Sequence, residues 1–279
     1  MYTVSLERII HMDNRPIGFF DSGLGGLTCI PVLKRELPDE KVIYCGDTAR
    51  TPYGSKDINT IRKFSYEISD YLVRHDVKMI VIACNTISST CLDDLRERHP
   101  DIPVIGIIDP IAEKVAREET GDDTIGVIGT KVTINSGTYG KVINGLNEKL
   151  HLEGKACPAF VPLIEEGIID NEIMDLTIEY YLDDFLKEND IHKLILGCTH
   201  YPFIADRITG VYGDLKLINP SEEVINRVRE VLNERDMLAG PNDGVNKIMA
   251  SDLSENFTNM VNMVFKDDPT KVEKFDVEI

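Results

Sequence analysis

Two short motifs place a cysteine and neighbouring polar side chains directly after an apolar run that is typical of a buried strand. The motifs are Cys84-Asn85-Thr86, after the run 79–83, and Cys198-Thr199-His200, after the run 193–197. They lie in different halves of the chain. A thiolate can remove a proton from carbon and a thiol can return one. One such group in each half suits racemisation or epimerisation, which treats both faces of one carbon alike.

Other segments recur in the same order and at nearly the same spacing. The run 17–23 resembles 125–130, and 108–110 resembles 218–220. We interpret these matches as a duplication, because the polar residues match as well as the apolar ones. The alternative is that strand ends look similar in any α/β protein.

Each cysteine motif stands where a helix should begin. A helix N-terminus lowers the pKa of a thiol from about 8.5 and so favours thiolate, and we expect this effect at both motifs. For one cysteine at a strand end, packing would be the better interpretation, but the matched pair favours function. The remaining cysteines lie among apolar or helical residues and are predicted to be inert packing: Cys29, Cys45, Cys91 and Cys157.

The composition narrows the classes of partner. The chain has 279 residues, 42% hydrophobic and 28% charged, with 48 acidic against 30 basic residues and a net charge of −18. Such a surface repels phosphate backbones, so no nucleic-acid partner is expected. No apolar run approaches the ~20 residues of a membrane span, and residues 1–16 have no signal-peptide core. Six cysteines without a Cys-x-x-Cys pair fit free thiols in the cytoplasm.

Apolar runs alternate with segments of helical spacing, which predicts parallel sheets covered on both faces by helices. The expected fold is α/β, with two pseudo-symmetric flavodoxin-like lobes and the active site between them. One lobe is predicted over 15–108 plus 219–279 and the other over 109–218. The strand-like runs end at Phe20, Gly46, Ala83, Ile108, Ile128, Val161, Gly197 and Ile218.

Three helical stripes are predicted to face the core: 58–72, with Ser55 as N-cap, 142–150, and the stripe of Ile173, Leu176, Tyr180 and Phe185. The tail is expected to return to the first lobe. It carries a strand-like run at 247–250 and a final helix that begins after Ser251 or Ser254.

Ligands of open parallel sheets bind outside the carboxyl ends of the strands. Two loops follow predicted strands there: Asp21-Ser22-Gly23-Leu24-Gly25-Gly26, and the segment 46–54 with Pro52, Tyr53 and Gly54. The first loop fails the dinucleotide fingerprint because Thr28 replaces the third glycine, and no Walker-type phosphate loop is present. It suits a carboxylate ligand. The second loop supplies a tyrosine hydroxyl and backbone donors, or it is only a surface turn.

Charged neighbours could help each thiol exchange its proton. Asp21 is the candidate beside Cys84, with His200 and either Glu165 or Glu166 in the second half. Zinc is disfavoured, because Cys198 and His200 supply two soft ligands and spacing places no third. We therefore expect neither cofactor nor metal.

Taken together, these segments resemble the glutamate racemases of the cofactor-independent aspartate/glutamate racemase family. The resemblance covers about residues 17–257. Its motifs are Asp21-Ser22-Gly23-Leu24-Gly25-Gly26, Gly46-Asp47-Thr48-Ala49-Arg50, Pro52-Tyr53-Gly54, Ala83-Cys84-Asn85-Thr86, Gly126-Val127-Ile128-Gly129-Thr130, Pro162-Leu163-Ile164-Glu165 and Gly197-Cys198-Thr199-His200-Tyr201-Pro202.

The resemblance implies interconversion of L- and D-glutamate for peptidoglycan synthesis, without pyridoxal phosphate. It implies that Cys84 and Cys198 are the two acid/base residues, assisted by Asp21, His200 and Glu165. The resemblance also implies which residues bind the substrate. Its amino and carboxylate groups would be held by Ser22, Asn85, Thr86 and Thr199. Its side-chain carboxylate would be received by Pro52, Tyr53 and Gly54, and the cavity would also be lined by Thr130 and Thr133. Ile87 departs from the family, which usually has alanine there.

Three other functions stay open at this point. An aspartate or broad-specificity racemase is the nearest, although that branch typically has Glu where this chain has His200. A hydrolase with one cysteine nucleophile would leave the second thiol unexplained, and an amino-acid-binding module would leave both unexplained. The expected partner is the substrate glutamate, and a homodimer is an open alternative.

The two thiols are expected to divide the labour. Replacing Cys84 or Cys198 by Ala should stop racemisation in both directions, because each turnover needs one base and one acid, and the double variant should be little worse. The resemblance implies that Cys84 removes the proton from D-glutamate and Cys198 removes it from L-glutamate. With a glutamate analogue that carries a β-leaving group, Cys84→Ser should therefore eliminate only from the L-analogue and Cys198→Ser only from the D-analogue. A shared preference for one enantiomer would contradict the two-sided mechanism.

Overall fold

The computed structural model describes residues 12–119, 124–241, 244–265 and 272–276. Within them the chain forms two parallel β-sheets flanked by α-helices, as the alternation of apolar runs predicted. Residues 1–11 of the N-terminal segment and 277–279 of the predicted first lobe lie outside this range. None of the helices in the described part has the length and apolarity needed to cross a membrane.

The first sheet has six strands in the order β10-β9-β2-β1-β3-β4, all parallel. Its strands are β1 (Ile17–Asp21), β2 (Val42–Gly46), β3 (Met79–Ile82), β4 (Val104–Gly106), β9 (Lys247–Ala250) and β10 (Val272–Lys274). The second sheet has the order β6-β5-β7-β8. Its strands are β5 (Thr124–Gly129), β6 (His151–Ala156), β7 (Ile191–Gly197) and β8 (Lys216–Ile218).

Eleven α-helices connect and cover the strands of the described residues. They are α1 (Cys29–Glu36), α2 (Ile58–Arg74), α3 (Asn85–Arg98), α4 (Ile108–Glu118), α5 (Lys131–Ser136), α6 (Thr138–Leu146), α7 (Phe160–Glu165), α8 (Glu172–Glu188), α9 (Ala205–Val211), α10 (Ser221–Glu234) and α11 (Glu255–Val264). Short 3₁₀ turns at 25–28, 48–50, 53–55 and 201–204 lie in the loops after strands β1, β2 and β7.

Both faces of the first sheet are buried, as expected for parallel strands. Every residue of β1 is buried, and successive side chains enter different apolar clusters: Phe19 packs on one face and Phe20 on the other. The cluster that contains Phe19 continues into the second sheet through Ile125 and Leu194. One continuous apolar core therefore fixes the two sheets relative to each other.

The tail returns to the first sheet, as the sequence predicted. Strand β9 pairs with β2, and β10 extends the sheet beyond it. Ser254 is the N-cap of α11, accepting a hydrogen bond from the backbone N–H of Phe257 at 3.1 Å. The exact domain boundaries, 15–108 plus 219–279 and 109–218, stay a prediction.

Several local predictions are wrong, among them the core-facing positions of Ile58 and Leu146, which are 50% and 61% exposed. Asp57, not Ser55, is the N-cap of α2 and accepts from the N–H of Thr60. The run ending at Val161 is not a strand but belongs to α7, because the edge strand β6 is a half-exposed segment without an apolar run. Most of the predicted core stripe of α8 faces solvent: Ile173, Leu176 and Tyr180 are 55%, 57% and 81% exposed.

The reason for the error at α8 is that this helix is apolar on two sides. Met174, Ile178 and Leu182 lie on its other face and are fully buried. Helical spacing describes both stripes equally well. Only tertiary packing selects the buried one.

A buried ion pair closes the end of the first sheet opposite to the strand carboxyl ends. Lys78, immediately before β3, is 1% exposed. Its ammonium contacts Glu40 Oε2 at 2.6 Å and donates to the carbonyl oxygens of Asp13 and Met237. Glu40 also accepts from the N–H of Ala239 at 2.8 Å. This pair holds the segment before β1 and the segment after α10 against the sheet.

Replacing Lys78 by Met should lower the free energy of unfolding by about 3–5 kcal/mol, because it leaves a buried carboxylate without its cation. Urea denaturation measures this. The matched control is Lys63→Met, since Lys63 is 63% exposed and lies 3.9 Å from Glu67, where the expected change is under about 0.5 kcal/mol. Equal losses of unfolding free energy in Lys78→Met and Lys63→Met would contradict a stabilising role of the buried ion pair.

Candidate active site

The carboxyl ends of the two sheets face a common cavity, and most of the predicted site residues line it. These are Ser22, Pro52, Tyr53, Gly54, Cys84, Asn85, Thr86, Thr130, Cys198, Thr199 and His200. The cavity has a volume of about 20 Å³, which is room for about one water. This volume is too small for a substrate of amino-acid size, so the residues around the cavity must move apart before such a substrate can enter.

The remaining three predicted residues stand behind this lining. Asp21 accepts a hydrogen bond within its own loop, Glu165 contacts His200, and Thr133 contacts Thr130. They can position the lining residues. Thus the structure brings all the predicted site residues into one region.

Cys84 connects β3 to α3, where it is the N-cap residue. It is 4% exposed, and its Sγ donates to Ser22 Oγ at 3.4 Å. Burial, and next to it the negative charge of Asp21, raises the pKa of Cys84. The prediction that the helix N-terminus lowers this pKa is wrong, because desolvation of the thiolate outweighs the helix effect. Cys84 is consequently a protonated thiol at neutral pH.

Asp21 is the last residue of β1 and is fully buried. Its Oδ2 accepts from the backbone N–H of Gly26 at 3.0 Å. Its Oδ1 is buried without a hydrogen-bond partner among the described residues. An unpartnered buried carboxylate oxygen is costly, so this atom is available to accept a hydrogen bond from a neighbouring group.

A chain of three side chains forms the second half of the site. His200 Nδ1 lies 3.9 Å from Cys198 Sγ, and its Nε2 lies 3.0 Å from Glu165 Oε1. Burial acts to lower the pKa of His200, but its hydrogen bonds with Cys198 and Glu165 outweigh burial and raise it to about 10. The histidine is therefore an imidazolium at neutral pH, held between Cys198 and Glu165.

The helix expected directly after Cys198 is a 3₁₀ turn, Tyr201–Ile204, followed by α9. Thr51, from the loop after β2, donates to Glu165 Oε1 at 3.3 Å. The support of Cys198 thus draws on both lobes, and it differs in chemistry from the Asp21 and Ser22 that surround Cys84.

Hydroxyl and amide groups line the space between the thiols. Thr86 Oγ1 lies 3.0 Å from Thr130 Oγ1 and 3.4 Å from Thr133 Oγ1, and Thr130 caps α5. Asn85 Oδ1 accepts from the hydroxyl of Tyr139 at 2.8 Å. The Asn85 Nδ2 amide is buried and has no partner among the described residues, so it can donate to a ligand.

In the loop with Pro52, Tyr53 and Gly54, the tyrosine hydroxyl is not available to a ligand as the sequence predicted. The Tyr53 hydroxyl donates to Asp47, whose carboxylate also accepts from Arg50 Nε at 2.6 Å and from Ser251. This hydroxyl is therefore committed to the protein, and backbone groups are what the loop can offer to a ligand.

Two glycines allow the lobes to approach this closely. A Cβ at Gly25 would lie 2.5 Å from Thr199 Oγ1 and 2.6 Å from His200 Nδ1. A Cβ at Gly54 would lie 2.5 Å from Thr130 Cβ. Any larger residue at these positions would push the loops apart.

Sequence reasoning missed Thr51 and Val161, which line the cavity, and Tyr139, which lies behind Asn85. Thr51 adjoins a recognised loop and could have been included with it. Val161 was assigned to a strand, and nothing in the sequence pattern singles out Tyr139. Across the described residues, no group of three or more His, Cys, Asp or Glu side chains could hold a metal ion.

Comparison with known proteins gives a consistent picture. Residues 28–228 match the family model described as Asp/Glu/Hydantoin racemase. The glutamate racemase of Sulfurihydrogenibium sp. is 44% identical over 264 residues, which are 94% of this chain and 97% of that protein. That of Chlorobaculum tepidum is 43% identical over 87% of this chain and 89% of its own length.

Solved structures of glutamate racemases are also similar to this chain. The glutamate racemase of Francisella tularensis in complex with D-glutamate has a TM-score of 0.89 at 37% identity, covering 95% of this chain and 99% of that one. The Thermus thermophilus glutamate racemase in complex with beta-chloro-D-alanine has a TM-score of 0.81 at 38% identity, covering 94% and 97%.

The charge of His200 should appear in the pH dependence of stability. Its pKa in the fold lies above the ordinary 6.5, so its contribution is complete below about pH 6.5 and is lost as the pH rises to about 10. Between these values it should lower the free energy of unfolding by up to ~1.4 kcal/mol per pH unit.

Urea denaturation from pH 6.5 to 10 measures that slope. His200→Asn should reduce it, whereas His192→Asn, at a side chain 75% exposed, should leave it unchanged. An unchanged slope in His200→Asn would show that this imidazole is neutral in the fold.

Proposed function

Because the chain belongs to the Asp/Glu/hydantoin racemase family, we propose that it is a glutamate racemase that interconverts L- and D-glutamate. The observation that carries this proposal is the meeting of Cys84 and Cys198, from different sheets, in one buried cavity. The match to glutamate racemases over nearly the whole chain supports glutamate as the substrate.

In the proposed reaction, one thiolate takes the proton from Cα as the opposite thiol gives its own proton to the other face of the same carbon. The Cα–H and one S–H bond break, a new Cα–H and a new S–H bond form, and no electrons are exchanged with a cofactor. The two sulfurs exchange charge states with each turnover. Cys84 acts as base on D-glutamate and Cys198 as base on L-glutamate.

The charges around each sulfur support these roles. Cys84 is protonated in the free protein and so is ready to deliver a proton, which is its role when L-glutamate reacts. For the reverse direction, the unpartnered Asp21 Oδ1 is the group that can accept the Cys84 proton. On the other side, the imidazolium of His200 stabilises negative charge on Cys198. Glu165 holds that imidazolium in place.

Substrate binding uses the groups between the sulfurs. Asn85 Nδ2 and the hydroxyls of Thr86 and Thr199 can donate to the α-carboxylate, and negative charge that builds on this carboxylate as Cα–H breaks strengthens those bonds. Ser22 completes the set near the amino group. Backbone donors of the 52–54 loop receive the side-chain carboxylate, and Thr130 and Thr133 form the wall opposite Thr86.

The small cavity implies that catalysis includes opening and closing of the lobes. Closure expels water, which strengthens every electrostatic contact around the reacting carbon. In the cell, we propose, the D-glutamate supplies peptidoglycan synthesis in the cytoplasm. The homodimer that the sequence left open stays a prediction.

Incubation of the enzyme with L-glutamate, after dialysis against a chelator and removal of carbonyl cofactors, should give racemic glutamate by optical rotation. Cys91→Ala is the matched control for Cys84→Ala, because Cys91 is buried in α3, the helix that begins after Cys84, and does not line the cavity. The control should keep its activity. Activity that requires a metal or pyridoxal phosphate would contradict the proposal.

Aspartate should react poorly in the same assay. Its side chain is one methylene shorter, so it leaves donors of the 52–54 loop unpaired at a cost of about 1–3 kcal/mol each. Equal turnover of aspartate and glutamate would favour the alternative, a broad-specificity racemase.

A further inference from the structure

Tyr139 makes a hydrogen bond between the lobes. It lies in α6 of the second lobe and is 3% exposed. Its hydroxyl donates to Oδ1 of Asn85, which opens α3 of the first lobe and is 2% exposed, at 2.8 Å. A second bond between the same helices runs from the Thr138 hydroxyl to the carbonyl of Ser89 at 3.2 Å. The Tyr139 bond therefore forms only when α6 lies against α3.

This bond decides which end of the Asn85 amide faces the ligand. With Oδ1 bound to Tyr139, Nδ2 is left as a buried donor without a partner, in a residue that lines the cavity. In the flipped amide, Nδ2 would donate to the hydroxyl, and the hydroxyl proton would then need another acceptor. Among the described residues the only hydrogen-bond partner of the Tyr139 hydroxyl is Asn85.

The tyrosine is suited to act as a permanent donor. Burial raises the pKa of Tyr139, so its hydroxyl keeps its proton through the neutral and mildly alkaline range. A buried donor of fixed protonation sets the orientation of a neighbouring amide without depending on pH.

We propose that Tyr139 is a positioning residue that orients the Asn85 amide so that Nδ2 donates to the substrate α-carboxylate when the lobes close. The inference rests on the proposed function. Tyr139 acts through Asn85 and does not touch the substrate. Closure of the lobes then completes the carboxylate site at the same moment as it brings the two thiols together.

The test is a double-mutant cycle of Tyr139→Phe and Asn85→Ala, with kcat/KM for D- and L-glutamate as the readout. Tyr139→Phe keeps the ring and removes only the hydroxyl, and it should lower kcat/KM by about 10-fold or more, which corresponds to loss of one hydrogen bond to a charged group. In the Asn85→Ala background the same change should have almost no effect, because the amide it positions is absent.

Tyr71→Phe is the matched control. The Tyr71 hydroxyl donates to Met249 Sδ at a distance of 3.6 Å, and neither residue lines the cavity. This variant should keep the wild-type kcat/KM. Thermal unfolding of each variant separates loss of stability from loss of positioning. An equal loss from Tyr139→Phe in both backgrounds would mean a merely structural role and overturn the inference, as would wild-type activity in Tyr139→Phe.

Failure of the proposed function gives a different result. If the wild-type protein binds glutamate but does not racemise it, the dissociation constant of glutamate, measured by calorimetry, replaces kcat/KM as the readout of the double-mutant cycle. Tyr139→Phe should then weaken binding in the wild-type background and have almost no effect in the Asn85→Ala background. If it neither racemises nor binds glutamate, both the function and the inference are overturned.

Discussion

Burial of charge between the two sheets limits which side chains and which protonation states the site can hold. The imidazolium of His200 and the sulfurs of Cys84 and Cys198 line a cavity with room for about one water, and the carboxylates of Asp21 and Glu165 stand directly behind them. In such surroundings a charged group needs a partner of opposite charge, as His200 has in Glu165. A group without such a partner stays neutral, as Cys84 does by keeping its proton. The loops, caps and glycines at the strand ends serve to hold these few groups in contact and to exclude solvent from them.

The two halves of the site share a scaffold but not a chemistry. Each thiol follows a central strand of a parallel sheet, which is the arrangement that a duplication leaves. Around Cys84 stand a hydroxyl and a carboxylate; around Cys198 stand an imidazolium and the carboxylate that orients it. A racemase must act on two mirror-related substrates with one chiral protein, so its two half-sites need matched reactivity and not identical residues. The different neighbours are a means of reaching that balance from two different local environments.

Much of the site could be predicted because it is local. A buried strand followed by polar residues is visible in the sequence, and parallel topology brings such strand ends together, so Cys84, Cys198 and their neighbours were found without any coordinates. Tyr139 could not be found, because its role depends on how α6 meets α3. The raised pKa of Cys84 could not be predicted from the sequence either, because it depends on desolvation by side chains that are distant in the chain. At α8 the sequence offered two apolar faces, and only packing distinguishes Leu182 from Leu176.

In the proposed reaction, two groups on opposite faces of Cα share each turnover, and the position of deuterium after reaction in D₂O distinguishes this from a reaction with a single base. L-glutamate is converted in D₂O, and both enantiomers are recovered after a few per cent of reaction. With two bases, the D-glutamate formed should carry deuterium at Cα while the remaining L-glutamate stays protonated, because the base that removes the proton does not return one to the same face. Deuterium that enters the recovered L-glutamate as fast as D-glutamate forms would indicate a single base and rule out the two-base reaction.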